Sequence, residues 1–318
     1  MNIILENVLY AVNTILPVFL ILFLGYFLKR KKMFDDAFIT TSSTIVYKVA
    51  LPTFLFLKLA DADFKTTFYP EEVIFILSGI LISYSLIWFC ARFFIKDNKD
   101  LGVFVQGSFR SNFAIVGLAI IYNVFGDEGL TKGTVILAFI VGMLNILSVT
   151  VLESTLRPES RTNVLKLFFN ILKVPMIIAI IVSLPFSLFE IVLPEAILTT
   201  GDYLAALTLP LALIGIGGSL NFTQLRKASG MAVSAATIKI FVIPLLLTLV
   251  AYLIGFTGDT LGIIFIFFAC PTAIVSFIMA KSLGGNEKLA GNIVVISTMG
   301  SVLTISTGIF ILKFFELI

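Results

Sequence analysis

Three consecutive polar side chains, Arg110-Ser111-Asn112, interrupt a long apolar stretch of this sequence. The Asn112 amide can donate hydrogen bonds to a carboxylate, and it lies where regular helical bonding is predicted to fail. The alternative is that Asn112 caps the second half of its own broken helix. A cap at such a break would itself border an anion site, so both interpretations indicate a binding site for a carboxylate.

A second interruption, Cys270-Pro271-Thr272-Ala273, lies in a later apolar stretch. A proline inside a membrane helix frees a backbone carbonyl, which is tolerated only where protein or a water-filled cavity satisfies that carbonyl. Thr272 occupies the position that matches Asn112 and has the same two interpretations. The residues predicted to bind substrate are Arg110, Ser111, Asn112, Phe113, Asn145, Cys270, Pro271, Thr272 and Ala273.

Two of these residues have a structural alternative. Asn145 could equally hydrogen-bond a neighbouring helix, since such bonds, worth about 0.6 kcal/mol, are common in membranes. Phe113, like Phe277 beside the second interruption, could pack in the core instead of shaping an apolar part of the site. The sequence leaves both roles open.

Three cationic residues lie deep within apolar stretches: Lys48, Arg110 and Lys239. Each lies about nine residues into its stretch, a depth of about 13 Å, and no Asp or Glu lies comparably deep. Because a charge at the bilayer centre costs at least about 2.5–3.5 kcal/mol, the substrate is predicted to supply the missing negative charge. The alternative is that these side chains reach carbonyls at helix breaks or extend toward the cytoplasm. The residues predicted to support or couple the site are Lys48, Pro52, Thr53, Pro210 and Lys239.

The elements that carry these residues are predicted to be membrane helices. Hydrophobic residues make up 59% of the chain and charged residues 13%, whereas globular chains carry roughly 25% charged residues. A bilayer core about 30 Å thick requires about 20 apolar residues per helix. Ten such runs occur, near residues 9–28, 39–60, 73–94, 101–124, 134–156, 164–186, 197–220, 231–254, 260–282 and 290–314. The lipid bilayer is therefore an expected partner of the chain.

The two halves of the chain resemble each other. The counterparts are Gly126-Asp127-Glu128-Gly129-Leu130 and Gly285-Asn286-Glu287-Lys288-Leu289, Pro17 and Pro175, and Pro52 and Pro210. An odd number of spans per repeat inverts the second copy, an architecture in which transporters place their site at the membrane midplane. The predicted fold is therefore all-α, with residues 1–156 and 157–318 as two inverted five-helix repeats. The prolines and the two interruptions are predicted to break helices whose positive N-terminal ends then face an anion.

Charges in the predicted loops indicate the orientation of the chain, because Lys and Arg of short loops remain on the cytoplasmic side. Basic residues cluster in alternate connections: Lys29, Arg30, Lys31, Lys32, Lys96, Lys99, Arg157, Arg161, Arg226 and Lys227. Both termini are therefore predicted to lie outside the cytoplasm. This asymmetry also accounts for the net charge of +3, so no nucleic-acid partner is expected.

Composition argues against an enzyme. The chain has no histidine and only two cysteines, Cys90 and Cys270. A serine–histidine protease and a metal or haem site with histidine ligands are therefore excluded. Neither a metal site, a cofactor nor a disulfide is expected.

Several segments together resemble the auxin efflux carrier family: residues 47–60, 110–112, 117–118, 145–153 and 270–285. The resemblance spans nearly the whole chain. It implies ten spans in two inverted repeats, with a scaffold domain and a transport domain. It further implies that broken helices 4 and 9 cross and carry the substrate in an elevator-like movement, and it favours a homodimer.

One departure from the family concerns the fourth span. The family often carries proline after Gly-Leu, where this chain has Ala119. Without that proline, the break must depend on Ser111 and Asn112, on Gly107 and Gly117, or on contact with the ninth span.

The sequence therefore predicts a secondary transporter for an organic carboxylate, either a mono- or a dicarboxylate, that is auxin-like or malate- or malonate-like. The alternatives are a proton- or sodium-coupled symporter of organic acids and, less favoured, a ligand-sensing membrane receptor. Proton coupling stays open because carboxylates flank the loop between the second and third spans: Asp61, Asp63, Glu71 and Glu72. Transport is expected to respond to membrane potential, since the deep charges are all cationic.

Overall fold

A computed structural model describes residues 3–63, 67–157, 172–220 and 229–318. Within these ranges the protein is helical and contains no strand, which confirms the predicted all-α class. The helices are α1 (Ile3–Arg30), α2 (Asp36–Ala60), α3 (Pro70–Phe94), α4 (Asn98–Phe109), α5 (Phe113–Leu156), α6 (Pro175–Leu188), α7 (Glu195–Ser219), α8 (Gly230–Ile254), α9 (Gly258–Ala269), α10 (Ile274–Leu283) and α11 (Glu287–Phe314). Arg161, Arg226, Lys227 and the first part of the predicted run 164–186 lie outside the described residues.

By length and composition, seven of the described helices are long and apolar enough to cross a membrane: α1, α2, α3, α5, α7, α8 and α11. The shorter apolar helices are α6, α9 and α10. Helix α5 covers 44 residues because it continues through a kink at Gly126, where φ is 66°. This kink separates two of the predicted runs, and each of the ten runs contains helix.

The prolines do not interrupt the helices equally. Pro17 lies inside the continuous helix α1, so the prediction of a break there is wrong. Close to Pro17, Asn123 of α5 donates to the Thr14 carbonyl at 2.9 Å. Pro52 follows a widened turn at Val46–Ala50 without ending α2, whereas Pro271 lies in a true gap between helices.

The helices pack into two groups. In the first, the α1/α7 group, α1 lies along the second half of α7 and α2 packs against α6. A Cβ added at Gly217 would overlap the Leu22 carbonyl, so α1 and α7 approach each other backbone to backbone. This close approach explains the glycine-rich run of α7, because small residues allow such packing in lipid.

The second group, the break group, contains α3, α4, α5, α8, α9, α10 and α11. Its centre is formed by the two short helices α4 and α9. All residues from Leu101 to Phe109 and from Leu261 to Ala269 are buried. Since protein encloses both helices, their ends can be irregular without exposing backbone polar groups to lipid.

Candidate functional site

The gap after α4 and the gap after α9 lie side by side. Ser111 and Thr272 face each other as an isolated antiparallel bridge. Two backbone hydrogen bonds flank this bridge, from Asn112 N to Pro271 O at 2.8 Å and from Ala273 N to Arg110 O at 3.2 Å. The structure therefore brings the two interruptions predicted from the sequence into direct contact, which we call the paired breaks (residues 110–112 and 270–273).

The hydroxyl groups of the paired breaks exchange hydrogen bonds with the opposite helix. Ser111 Oγ donates to the Phe267 carbonyl of α9, and Thr272 Oγ1 donates to the Gly107 carbonyl of α4, both at 2.7 Å. The last carbonyls of a helix have no partner within the helix, so each break satisfies a carbonyl of the other. The break without a proline is thus stabilised by contact with α9, which was one of the predicted explanations.

Arg110 is buried and directed toward α5. Its Nη1 donates to Leu144 O at 3.2 Å and to Ser148 Oγ at 2.6 Å, while its Nη2 donates to Asn145 Oδ1 at 2.7 Å. This is the arrangement of the structural alternative, in which the cation reaches a carbonyl and Asn145 joins two helices. The predicted contact of Arg110 and Asn145 with substrate stays a prediction.

Lys239 is also fully buried, on a widened turn of α8 at Ile238–Val242. Its Nζ donates to the Phe268 carbonyl at 2.5 Å, close to the end of α9. Lys239 therefore places a positive charge at the C-terminal end of α9, where the helix dipole is negative, whereas the Arg110 guanidinium lies against residues 144–148 of α5. The partial positive charges at the N-terminal ends of α5 and α10, which begin just after the paired breaks, are not neutralised by these cations.

Asn112 differs from its neighbours because its side chain is free. It is only 7% exposed, it does not cap the helical turn that follows it, and its amide forms no hydrogen bond with any residue that the structure describes. The capping role considered as the alternative for Asn112 is thus absent. Its counterpart Thr272 already has hydrogen-bond partners. Its hydroxyl donates to the Gly107 carbonyl of α4, and its backbone N donates to Ser297 Oγ at 3.0 Å.

The remaining predicted residues form the packed wall of the paired breaks. Cys270 is fully buried, and the Phe113 ring lies 5.0 Å from that of Phe267 between centroids. A Cβ at Gly117 would overlap Phe113 and press on the Cys270 sulfur, so glycine is required there. The burial of Phe113 agrees with its packing alternative, while its contact with substrate stays a prediction.

The support residues lie apart from the paired breaks. Lys48, Pro52 and Thr53 line an open groove between α2 and α6, and Lys48 is exposed there. Pro210 lies near the start of the second half of α7, and it does not line this groove. Of the five residues predicted to support the site, Lys239 donates a hydrogen bond close to the second break.

The sequence analysis missed two polar partners of the site. Ser148 accepts from Arg110, and Ser297 accepts from the backbone of Thr272. Ser148 could have been found, because it lies three residues after Asn145 and hence on the same helix face. The sequence around Ser297 does not indicate this contact, since the contact depends on how α11 packs against the second break.

The charge balance around the paired breaks is positive. Glu72 is the only buried carboxylate within the described ranges, and it pairs with Lys132 at 2.8 Å beside the start of α3. Arg110 and Lys239 therefore have no acidic partner among those residues. The part of the chain that the structure describes also holds no group of acidic or cysteine side chains that could bind a metal ion.

Comparisons with known proteins all find membrane transport proteins. A sequence model of a family described as membrane transport protein matches residues 10–309. A protein of Methanothermobacter thermautotrophicus named as an uncharacterized transporter is 24% identical over 306 residues, which covers 93% of this chain and 96% of that protein. The uncharacterized transporter YfdV of Escherichia coli is 21% identical over 309 residues, covering 95% and 98%. An uncharacterized transporter of Methanocaldococcus jannaschii is 22% identical over 306 residues, covering 92% and 96%.

Proposed function

Since the chain belongs to the membrane transport protein family, which includes the auxin efflux carriers, we propose that it is a secondary transporter that moves an organic carboxylate across the cell membrane. The family is a transporter family and not an enzyme class. The observation that carries the proposal is the free Asn112 amide at the paired breaks, beside two buried cations that have no acidic partner. A carboxylate substrate would supply both the hydrogen-bond acceptor and the negative charge.

We further propose ten spans in two inverted repeats, residues 1–156 and 157–318. The reciprocal bonds of Ser111 and Thr272 support this proposal, because a two-fold relation between the halves would exchange these residues. The grouping of helices supports it too, since α1 and α2 begin one repeat and α6 and α7 begin the other. In this arrangement α4 and α9 are equivalent helices that cross at the membrane midplane.

The electrostatics of the breaks favours an anion. At each break a negative C-terminal helix end and a positive N-terminal helix end meet. Lys239 lies against the negative end of α9 and Arg110 adds a second buried positive charge at the first break, so the field in the central space is positive. A neutral or cationic substrate would gain nothing from this field.

The two helix groups suggest the movement. The break group would act as the transport domain and the α1/α7 group as the scaffold, in an elevator-type cycle. Polar contacts join the groups near the Gly126 kink: Tyr10 Oη to Val124 O at 3.1 Å, Asn123 Nδ2 to Thr14 O at 2.9 Å, and Lys58 Nζ to Asp127 Oδ1 at 2.9 Å. The exposed Lys58–Asp127 pair can exchange at low cost, whereas the other two bonds are partly buried.

The proposed orientation places both termini outside the cytoplasm, following the loop charges. The proposed oligomer is a homodimer through the α1/α7 group, which rests on the family resemblance alone. Cysteine labelling of residues introduced at either terminus of the protein in intact cells tests the orientation. Labelling by an impermeant reagent is expected.

The transport proposal is tested in proteoliposomes. A panel of mono- and dicarboxylates is first screened by thermal shift of the purified protein, because a bound ligand stabilises the folded state. The acid that stabilises most is then offered in labelled form, and uptake is expected to follow an imposed potassium-diffusion potential. Uptake that follows a pH gradient but ignores the potential would indicate a proton-coupled symporter and contradict transport driven by the potential. Ligand binding without counterflow of labelled acid would indicate a receptor.

Substitution of Asn112 tests the site itself. Asn112→Ala is expected to weaken binding of the same acid about ten- to hundred-fold, since a hydrogen bond to a charged group is worth about 1.5–3 kcal/mol. Expression and thermal stability should be unchanged, because the side chain has no bond to lose within the described structure. Asn98→Ala, at the exposed start of α4, is the control. Unaltered affinity in Asn112→Ala would remove this residue from the site.

A further inference from the structure

The two ends of the break group are held in different ways. The Gly126 kink and the Gly284–Asn286 turn occupy corresponding positions in the two halves of the chain. The kink region is bonded to α1 and α2, which belong to the other helix group. The turn bonds within its own group, since Asn286 Nδ2 donates to Asp100 Oδ1 at 2.6 Å and Asn286 N donates to the Lys99 carbonyl at 3.3 Å. The break group is therefore docked on the α1/α7 group at the kink, whereas the turn is held by the break group itself.

Tyr10 of α1 contacts two helices of the break group. Its Oη donates to the Val124 carbonyl of α5 at 3.1 Å, and the Lys313 ammonium of α11 lies 3.7 Å from its ring centroid. This is within the distance of about 6 Å at which an aromatic face attracts a cation. One turn later in α1, the Thr14 carbonyl accepts from Asn123 Nδ2 at 2.9 Å. We call these contacts together the Tyr10 latch (Tyr10, Thr14, Asn123, Val124 and Lys313).

The Tyr10 latch lies at one side of the membrane. Lys313 is the penultimate residue of α11, and Asn286 directly precedes its first residue. The 28 residues of α11 span about 42 Å, whereas the hydrocarbon core of a bilayer is about 30 Å thick. The latch and the Gly284–Asn286 turn therefore lie on opposite sides of the membrane. In the proposed orientation the latch faces the outside of the cell, because both chain termini lie there.

The kink provides the latch with its acceptor. Gly126 has φ 66° and ψ −156°, a conformation that is essentially restricted to glycine. Regular helical bonding fails at such a residue, and the last carbonyls before the end of a helical segment have no partner within it. Val124 precedes Gly126 by two residues, so its carbonyl is placed to accept from another helix. Tyr10 supplies the donor.

The latch bonds differ from the ion pair beside them. Lys58 and Asp127 lie 2.9 Å apart with exposed fractions of 32% and 71%, and an exposed pair of this kind contributes little to stability. The bonds of Tyr10 and Thr14 are partly buried, so water replaces them less readily when they open. The latch, more than the ion pair, therefore determines how often the docked end opens.

We infer that the Tyr10 latch holds the break group in a state that is closed toward the outside, and that the latch must open before the paired breaks exchange substrate with that side. Alternating access requires the contacts on one side of the site to separate while those on the other side close. This inference rests on the proposed elevator movement and goes beyond it. It assigns the described structure to one side of the cycle and identifies the contacts that hold it there.

The test is the reactivity of a cysteine introduced at Thr14, which is 7% exposed and belongs to the latch. The purified full-length protein also carries Cys90→Ser, because Cys90 is exposed whereas Cys270 is fully buried. Thr14→Cys keeps the backbone carbonyl that accepts from Asn123, so the latch remains intact. The rate of labelling by a maleimide then reports the fraction of molecules in which the latch is open.

Substitutions in the latch should raise this labelling rate. Tyr10→Phe removes the hydroxyl and keeps the ring, and a rise of about three- to ten-fold is expected for the loss of one hydrogen bond. Lys313→Met removes the cation from the ring, and a rise of about two- to three-fold is expected. Tyr122→Phe removes a hydroxyl from an exposed tyrosine of α5 close to the latch, and as the control it should leave the rate unchanged.

Two results of the labelling experiment overturn the inference. The first is a rate that is the same in Tyr10→Phe as in the parent protein. Lys313→Met provides this readout if Tyr10→Phe does not fold. The second is labelling of Thr14→Cys in the parent that is as fast as labelling of the exposed Cys90 in the unmodified chain, because the latch would then not be closed.

Cross-linking tests whether the docked end has to open during transport. Lys58→Cys and Asp127→Cys are joined by a short bifunctional thiol reagent that reduction cleaves. Counterflow of the labelled acid in proteoliposomes is expected to stop and to return after reduction. Asp100→Cys with Asn286→Cys, a pair within the break group, is the control and should leave counterflow unchanged after cross-linking. Counterflow that continues through the Lys58–Asp127 cross-link overturns the inference.

The inference and the proposed function fail in different ways. A labelling rate that rises in Tyr10→Phe, in a protein that moves no carboxylate in vesicles, would retain the latch and reject the transporter. Carboxylate uptake by a protein whose labelling ignores both Tyr10→Phe and Lys313→Met would retain the transporter and reject the latch.

Discussion

The two breaks reach the same geometry by different local means. After α9, Pro271 has no N–H and cannot continue the helix. After α4 the chain has no proline, and the residues that replace it are Ser111 and Asn112. Yet both breaks are held by the same exchange of a hydroxyl with a carbonyl of the opposite helix. A helix can therefore be broken by an acceptor that another helix provides, and proline is not required.

The cations that accompany the breaks differ more strongly. Arg110 forms three hydrogen bonds with α5, whereas Lys239 forms one with α9. The first break is thus tied to α5 by three bonds of one charged side chain, while the second is tied to α8 by a single lysine bond and to α11 through Ser297. Substitutions of these residues measure how much each set of bonds contributes to the stability of the folded protein.

Arg110→Met should have the largest effect. Three bonds from a charged donor are lost, each worth about 1.5–3 kcal/mol, and removal of the buried charge offsets part of that loss, so we expect a net destabilisation of about 3 kcal/mol. The measurement is thermal unfolding of the purified protein in detergent. Arg92→Met, on the exposed face of α3, is the control. An unchanged melting temperature in Arg110→Met would contradict the tie to α5.

Lys239→Met should destabilise the protein less than Arg110→Met, by about 1.5 kcal/mol, because a single carbonyl loses its donor. Methionine has a similar length and no charge, so the fully buried site remains filled. The same unfolding measurement gives the difference between the two variants. If Lys239→Met proved the more damaging substitution, the ranking of the two supports would be reversed.

Ser111→Ala and Thr272→Val should each cost about 1 kcal/mol, because each leaves one helix-end carbonyl without a donor. The two costs are expected to agree within about 0.5 kcal/mol, since the two bonds are equivalent in length and position. The double variant should show a coupling of about 0.5 kcal/mol or more, as residues in direct contact do. Strictly additive, unequal costs would show that the two breaks are independent.

Pro271→Ala should have the smallest effect, below about 0.5 kcal/mol. The hydroxyl of Thr272 and the backbone bonds of the bridge hold the second break without the proline, as they hold the first. The stability of this variant and its binding of the acid selected by thermal shift are measured together. A large loss of both would mean that the proline creates the second break and that the resemblance between the breaks is superficial.

Much of the fold could be predicted from the sequence, and the family resemblance is confirmed. Length and apolarity predicted the helical class and the seven described helices that are long enough to cross a membrane, because they depend only on local composition. The polar interruptions at Arg110-Ser111-Asn112 and Cys270-Pro271-Thr272-Ala273 located the breaks for the same reason. The inverted relation of the repeats stays a proposal.

The partners of the deep cations could not be predicted. Arg110 bonds to residues 34 to 38 positions away and Lys239 to one 29 positions away. Every residue has a backbone carbonyl, so the residue type does not indicate which carbonyl accepts the bond. The error at Pro17 has a different origin, because a proline inside a helix does not have to end it and α1 continues through Pro17. Local patterns show where a polar group lies, but only packing shows which group it meets.

The exchange of hydrogen bonds between the paired breaks also has a consequence for biosynthesis. The Ser111 hydroxyl donates to the carbonyl of Phe267, and the Gly107 carbonyl accepts from the hydroxyl of Thr272. Both partners leave the ribosome more than 150 residues later. Until then, the centre of α4 and α5 must stay hydrated or be sheltered by the insertion machinery. A nascent chain truncated before α9 would thus be an early substrate for membrane proteases, even though its own helices are complete.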